Sequence, residues 1–130
     1  FMGEKDYQQY LLVKKYISNN SKTKIIPCET IRETNKFALS SRNLLLKKKE
    51  FNLAGKIAQD LIFFKKKLIK NRNIKRLILI KKKELKNLYN IRIEYLELRN
   101  KKNLDLSSSI RNSRIFIAYY LNNVRLIDNF

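Results

Sequence analysis

Residues 115–127, I-F-I-A-Y-Y-L-N-N-V-R-L-I, contain the clearest indication of how this chain folds. Residues 115–121 are apolar on both faces of an extended chain, which is typical of a strand at the centre of a sheet. Asn122 and Asn123 predict a tight turn, because asparagine tolerates a positive φ. Residues 124–127 should therefore return beside the first strand and form an antiparallel hairpin with it.

A third strand and two helices upstream of this hairpin complete the predicted domain. Ile91, Ile93 and Tyr95 alternate with charged residues, as they would on a strand with one buried face. Residues 51–70 and 73–88 have the apolar spacing of amphipathic helices. The pattern predicts a small α+β domain, in which two helices pack on a three-stranded antiparallel sheet.

Each predicted helix has one face that should point inward. These faces are Ala54, Ile57, Ala58, Leu61, Phe64 and Leu68 in the first helix, and Ile74, Leu77, Ile78, Leu85 and Leu88 in the second. Gly55 costs about 1 kcal/mol relative to alanine within a helix, which suggests that something packs closely there. Lysine triplets at residues 65–67 and 81–83 interrupt these faces, and their ammonium groups are expected to reach water.

The first third of the chain has a different organisation. Residues 6–17 have helical spacing, and the β-branched run at residues 24–28 predicts a short strand. A helix followed by a strand is one unit of an α/β sheet, here without earlier strands. We therefore expect two parts, residues 1–43 and residues 44–130.

Composition excludes several classes of protein and site. The chain has 130 residues, a common single-domain size, and 44% of them are apolar, as in globular proteins. It contains no histidine, so a Ser-His or Cys-His nucleophile pair and a histidine metal ligand are excluded. The single cysteine, Cys28, cannot form an internal disulfide, which fits a cytoplasmic location. The sequence contains no run of about 18 apolar residues, so it predicts no membrane-spanning helix.

The net charge of +19 leaves two interpretations open. A strongly basic chain can be a nucleic-acid-binding module, because it neutralises phosphate groups. Alternatively, the lysines reflect a composition bias and lie on solvated helix faces. They are not interleaved with aromatic residues in an arginine-rich stripe. We therefore favour the second interpretation and keep nucleic-acid binding as the alternative function.

Residues 3–9, G-E-K-D-Y-Q-Q, combine side chains that suit an anionic nucleotide. On a helix, Gln9 shares a face with Lys5 and Asp6. Gly3 allows a ligand to approach the backbone closely, and a helix start beside a lysine favours anions. A carboxylate can accept hydrogen bonds from ribose hydroxyls, and an amide can bind a small acid. The other interpretation is an ordinary capped surface helix.

Residues 30–43, T-I-R-E-T-N-K-F-A-L-S-S-R-N, are predicted to be mainly loop. Ser40 and Ser41 supply adjacent hydroxyl and N–H groups, and Arg42 supplies a permanent cation, a set that suits phosphate oxygens. In nucleotidyl transfer the protein mainly positions groups and stabilises charge. By itself the S-S-R triplet is weak evidence for a phosphate-binding site, because such triplets are common in loops.

Together with R-L-I-D-N at residues 125–129, the two blocks resemble the pantoate–β-alanine ligase family, whose members are also called pantothenate synthetases. The resemblance implies an enzyme that uses ATP and Mg²⁺ to condense pantoate with β-alanine. Pantoate attacks the α-phosphate to give pantoyl adenylate and pyrophosphate, and the β-alanine amine then displaces AMP. Residues 1–43 would be the tail of a Rossmann-type nucleotide-binding domain, and residues 44–130 a C-terminal lid domain.

The resemblance also implies roles for individual residues. The expected ATP-binding residues are Gly3, Glu4, Lys5, Asp6, Ile31, Leu39, Ser40, Ser41 and Arg42. Among these, Lys5, Ser40, Ser41 and Arg42 are the expected catalytic residues, because they would contact the phosphates. Gly3 and Asp6 would face the ribose, Ile31 would contact the nucleotide through its backbone, and Gln9 would bind pantoate. No residue is assigned as a metal ligand.

Asn35 and Lys36 depart from the family, which often has Asp-Gly at this point, and the difference is expected to alter the turn of the loop. The histidine motif and the pantoate-binding N-terminal residues of the family are missing from this chain. We therefore expect the isolated chain to be inactive, to require an N-terminal Rossmann domain as its partner, and to be part of a homodimer when full length. A related adenylating enzyme with another acid substrate stays open, because Gln9 is the one acid-facing residue in view.

Overall fold

The computed structural model describes residues 1–130. Its first unit contains, in chain order, β1 (Met2–Gly3), a 3-10 turn (Glu4–Asp6), α1 (Tyr7–Asn20) and β2 (Pro27–Cys28). β2 lies parallel to β1, so the predicted helix followed by a strand is confirmed. The strand is shorter than the predicted residues 24–28, because only Met2 and Gly3 run beside it to pair its backbone groups.

The second unit begins with two helices, α2 (Lys48–Leu68) and α3 (Ile74–Tyr89), close to the predicted ranges. α2 starts three residues earlier than predicted. The reason is Glu50, whose carboxylate accepts a hydrogen bond of 2.7 Å from the backbone N–H of Lys47 and so satisfies a donor at the helix start.

A three-stranded antiparallel sheet follows, in the spatial order β3 (Arg92–Asn100), β4 (Ser113–Leu121) and β5 (Val124–Asn129). β4 lies in the centre, as its apolar sequence predicts. The turn between β4 and β5 consists of Asn122 and Asn123, and Asn122 has a φ of 50°. The predicted α+β class is thus confirmed, whereas the division at residues 43 and 44 stays a prediction.

A β-bulge in β3 changes which residues share a face. Ile93 is opposite Tyr119, but Tyr95 is opposite Ala118, so Glu94 is an extra residue in the ladder. After the bulge the side chains change sides. Ile93 therefore packs toward the helices, whereas Tyr95 packs on the opposite face of the sheet. The simple alternation expected for residues 91–95 is wrong for this reason.

Apolar residues cover both faces of the sheet. α2 and α3 pack on one face and enclose the main core, which includes Leu61, Leu85 and Ile117. On the opposite face, Tyr7 of α1 packs against Phe116 of β4, with their ring centroids 6.0 Å apart. This second, smaller cluster attaches the first unit to the sheet.

The inward face predicted for α2 is confirmed, since its six residues are all buried. In α3, Leu88 is exposed, contrary to expectation, and Tyr89 makes the contact of the last turn with the core. Lys81 is also contrary to expectation. It is buried between the helices, where its ammonium group is 2.6 Å from Asp60 and 2.9 Å from Glu84. None of the helices has the length and apolar character needed to cross a membrane.

Candidate functional site

The 3-10 turn Glu4–Asp6 is held against the end of the sheet. The side-chain amide of Asn129 donates 2.8 Å hydrogen bonds to the carbonyl oxygens of both Glu4 and Lys5. The carboxylate of Glu4 forms a 2.6 Å ion pair with Arg114 of β4. These bonds fix the backbone of the turn, so that Lys5 and Asp6 project from a rigid support. Beside it, no atom lies within 4 Å of the position that a Cβ on Gly3 would occupy.

The loop at residues 30–43 is folded as a narrow hairpin. The backbone N–H of Leu39 donates to the carbonyl of Ile31 at 2.9 Å, and that of Glu33 donates to Phe37 at 2.8 Å. The side chains of Ile31 and Leu39 are exposed on this hairpin. Phe37 is buried in the main core, which anchors the loop to α2.

The tip of the hairpin contains Asn35 and Lys36, the two residues that were expected to alter the turn of this loop. Lys36 has a φ of 73°, a conformation that glycine adopts without a steric cost. Asn35 lies on Gly55 of α2, where a Cβ would be only 2.4 Å from the Asn35 amide nitrogen. The close packing that Gly55 suggested is therefore confirmed, and the neighbour is this loop. Gln59 also donates a 3.1 Å hydrogen bond to the Asn35 carbonyl.

The S-S-R segment follows directly. Ser40 precedes a second 3-10 turn, Ser41–Leu45, and its hydroxyl oxygen accepts a 3.3 Å hydrogen bond from the N–H of Arg42. Ser41 and Arg42 are exposed, and the guanidinium of Arg42 takes part in none of the ion pairs of the chain. It is therefore free to bind an anion.

The two blocks converge beside the last strand. Burial lowers the pKa of Lys5, the nearby charge of Arg42 lowers it further, and the carboxylates of Asp6 and Asp128 oppose both effects. The two 3-10 turns that carry these cations, Glu4–Asp6 and Ser41–Leu45, both contact β5, the strand that contains Asp128. Two cations from separate parts of the sequence thus lie on turns that pack against the same strand.

A cleft of about 140 Å³ lies between the start of α1 and the back of the sheet. Among its lining residues are Lys5, Asp6, Gln9 and Asp128, with Tyr95 and Phe116 as apolar walls. Three of the predicted site residues therefore share one cleft. Ser40, Ser41 and Arg42 are outside its lining, at the start of the second 3-10 turn.

Sequence reasoning missed Asp128 and Asn129 as parts of this site. Asp128 is 5% exposed, and its carboxylate accepts two hydrogen bonds from Arg32, at 2.8 and 2.9 Å. Burial raises the pKa of Asp128, and the hydrogen bonds from Arg32 act in the opposite direction. The R-L-I-D-N segment was the available signal, although nothing in it indicates which residues its side chains contact.

Comparison with known proteins identifies the family of this chain. The family described as "Pantoate-beta-alanine ligase" matches residues 1–130. The chain belongs to the pantoate–β-alanine ligase family. A pantothenate synthetase from Flavobacterium psychrophilum is 35% identical over 99% of this chain and 47% of its own length. One from Ruthia magnifica is 36% identical over 98% of this chain and 46% of its own length.

Solved structures of pantothenate synthetases agree with the fold. The crystal structure from Thermus thermophilus has a TM-score of 0.87 at 26% identity, covering 99% of this chain and 48% of that one. The Francisella tularensis ligase, complexed with Beta-gamma ATP and Beta-alanine, has a TM-score of 0.67 at 33% identity, covering 98% and 41% respectively. The chain thus spans about half the length of the pantoate–β-alanine ligases it matches.

Proposed function

We propose that this chain forms the nucleotide-facing part of an ATP-dependent ligase that joins pantoate to β-alanine through a pantoyl adenylate. The observation that carries the proposal is that the turns with Lys5 and Arg42, two cations from separate blocks, both pack against β5, next to which Lys5, Asp6 and Gln9 line one cleft. Family membership and the relative complexed with Beta-gamma ATP and Beta-alanine support it further.

In the first step, a carboxylate oxygen of pantoate attacks the α-phosphorus of ATP, and the bond to the departing pyrophosphate breaks. Negative charge develops on the phosphate oxygens and the leaving group. Lys5 and Arg42 stabilise that charge, and the hydroxyl and N–H groups of Ser40 and Ser41 donate hydrogen bonds to the phosphates. The permanent positive charge of Arg42 suits it to the pyrophosphate.

The remaining residues position the substrates. Asp6 accepts hydrogen bonds from the ribose, Gly3 leaves room for the nucleotide to approach the backbone, and Ile31 and Leu39 contact it from the hairpin. Glu4 supports the site rather than reacting, since its carboxylate is already paired with Arg114. Gln9 binds pantoate. In the second step the β-alanine amine attacks the acyl carbon, and AMP leaves.

Mg²⁺ takes part in the proposed reaction together with ATP. The cysteine and acidic side chains of this chain form no group of three that could hold a metal ion. The residues present therefore do not fit a metal site of their own. Mg²⁺ is commonly bound mainly by nucleotide phosphates and water, and no step assigned here to the residues of this chain runs through it.

AMP release tests the proposal. The chain is mixed with the separately produced N-terminal half of the Flavobacterium psychrophilum pantothenate synthetase, with ATP, Mg²⁺, pantoate and β-alanine. We expect turnover that requires both halves and both acids, and negligible turnover with the chain alone. Arg42→Ala should lower kcat/KM by at least about 100-fold, the effect of removing one charge-stabilising group.

Arg76→Ala is the matched control, because Arg76 is an exposed arginine on α3 outside the site. It should leave turnover unchanged. Turnover by the chain alone, or equal losses in the Arg42 and Arg76 variants, would contradict the proposal. AMP release that depends on a different acid would instead identify a related adenylating enzyme.

A further inference from the structure

The buried carboxylate of Asp128 on β5 is unusual for its number of partners. Its two oxygens receive the two ends of the Arg32 guanidinium at 2.8 and 2.9 Å, and one of them also accepts a 2.7 Å hydrogen bond from the N–H of Asn129. A buried charge is costly unless it is paired and hydrogen-bonded in this way. Bidentate pairing also fixes the orientation of the Arg32 guanidinium relative to the carboxylate.

Arg32 transmits this fixed position to the loop at residues 30–43. Besides Asp128, its guanidinium donates to the carbonyl of Lys36 at 2.9 Å and to that of Asn129 at 3.0 Å. It also lies over the ring of Phe130, 4.7 Å from its centroid. One side chain therefore ties the tip of the hairpin to the end of the sheet, and the S-S-R segment continues directly from that hairpin.

Asn129 ties the other block, residues 3–9, to the same end of the sheet. Its amide nitrogen holds the carbonyls of Glu4 and Lys5, and its amide oxygen accepts a 2.7 Å hydrogen bond from Arg114. Arg114 in turn pairs with Glu4. Two adjacent residues at one strand end thus hold both of the segments that carry the converging cations.

We propose that Asp128 and Asn129 are positioning residues that set the separation of Lys5 and Arg42 by holding their two segments on one strand end. The phosphate role of those cations rests on the proposed function, whereas the positioning itself does not. Asp128 has a second effect, because its negative charge lies close enough to Lys5 to favour the protonated ammonium. Replacing Asp128 therefore changes both the separation of Lys5 and Arg42 and the negative charge beside Lys5.

Asp128→Asn is the direct test, and Glu94→Gln is the matched control. Glu94 and Arg125 form another bidentate pair in the same sheet, at 2.8 and 3.0 Å, but an exposed one that touches neither block. The first readout is trypsin cleavage after Lys36 and Arg42, followed by mass spectrometry. Cleavage after Lys70, in the turn between α2 and α3, is the internal reference.

We expect Asp128→Asn to accelerate cleavage at Lys36 and Arg42 about tenfold relative to Lys70, because the loop loses a charged anchor. Glu94→Gln should not change the ratio. If Asp128→Asn does not fold, Arg32→Lys takes its place, since it keeps the charge but loses the fork. An unchanged ratio in the folded variant overturns the inference, whatever the activity.

The second readout is kinetic and uses the reconstituted assay at a temperature where all variants are folded. A residue that serves stability alone would lower the melting temperature and leave the KM for ATP of the folded protein unchanged. For positioning residues we expect the KM for ATP to rise about tenfold and kcat to fall, with Arg32→Lys intermediate. An unchanged KM and kcat would overturn the inference. Faster loop cleavage without turnover in the unmodified protein would leave the inference standing and contradict the proposed function.

Discussion

Lys5 shows how a single side chain connects burial to function. Burial is the main reason that its pKa is lowered, and Arg42 adds to the effect. A lysine with a lowered pKa loses its positive charge at a lower pH than an ordinary lysine. Phosphate binding that depends on this charge is therefore complete at acidic and neutral pH, and is lost as the pH rises through the lowered pKa.

We predict that kcat/KM for ATP in the reconstituted enzyme falls on the alkaline side, and that Lys5→Arg moves this fall to higher pH. Arginine keeps its charge to a higher pH than lysine, so the alkaline limb of the Lys5→Arg enzyme should lie at higher pH. The pH profiles of the two proteins provide the measurement. Superimposable alkaline limbs would show that another group controls them.

Gly55 is a second residue whose role depends on one neighbour. In an exposed helix, replacing glycine by alanine stabilises the protein by about 1 kcal/mol. Here the new methyl group would meet the Asn35 side chain at 2.4 Å. We predict that Gly55→Ala destabilises the chain by about 1–3 kcal/mol, as overpacking does, measured by urea denaturation.

The Asn35→Ala, Gly55→Ala double variant is the control for that prediction. It removes the two shortest contacts, those with the amide nitrogen at 2.4 Å and its carbon at 2.5 Å, and leaves the Cβ of residue 35 at 2.8 Å, so the two substitutions should be strongly non-additive. Additive free energies of unfolding would mean that the loop does not press on α2 at this point.

At the scale of elements, α2 and α3 are joined by a buried charge as well as by apolar contacts. Burial lowers the pKa of Lys81, but the hydrogen bonds that its ammonium donates to Asp60 and Glu84 outweigh burial and raise the pKa overall. The lysine triplet at residues 81–83 gave no sign of this, because the partner Asp60 lies 21 residues away on the other helix.

We predict that Lys81→Met changes stability by less than about 1 kcal/mol, whereas Asp60→Ala costs about 1–3 kcal/mol. A methionine fills the space, and the carboxylates left behind, Asp60 at 21% and Glu84 at 51% exposure, still reach water. Removing Asp60 instead leaves the buried ammonium with Glu84 as its one partner. Thermal and urea unfolding of both variants provide the comparison. A larger loss of stability for Lys81→Met than for Asp60→Ala would contradict the prediction.

The bulge in β3 is the other feature of this scale that the sequence did not indicate. Period-two alternation correctly predicted a strand near residue 91. It could not show that Glu94 is an extra residue, because a bulge is defined by pairing with the neighbouring strand. Its consequence is that Tyr95 lines the cleft beside Phe116 instead of joining the main core.

For the whole molecule, the net charge of +19 must be considered alongside the site. A chain this basic attracts any polyanion at low salt, so weak binding alone does not indicate a function. The triplet at residues 65–67 illustrates where such charge lies, since two of its three lysines are exposed on α2. This is the solvated-face interpretation of the composition.

We predict that single- and double-stranded DNA and RNA bind with a Kd no tighter than about 10⁻⁴ M near physiological salt, and with no sequence preference. Titration at several salt concentrations provides the measurement. A sequence-dependent Kd tighter than about 10⁻⁶ M would favour the nucleic-acid-binding alternative.

Much of the fold could be predicted because its patterns are local. The central strand, the Asn-Asn turn and both long helices depend on residues that are neighbours in sequence, and they agree with the structure within a few residues. Candidate site residues such as Lys5 and Arg42 were identified by a resemblance of motifs. Their assigned roles stay predictions, but the structure places Lys5 in one cleft with Asp128, and the turn that carries Arg42 against the strand of Asp128.

The sequence by itself determined the α+β class, the order of the elements and the family, because hydrophobic periodicity and short motifs are local properties of the chain. Only the tertiary structure decided which charges are buried and what they hold. Arg32 and Asp128 are 96 residues apart, and Lys81 and Asp60 lie on different helices. Whether such a charge reaches water or a partner depends on how the elements pack, and no local pattern encodes that distance.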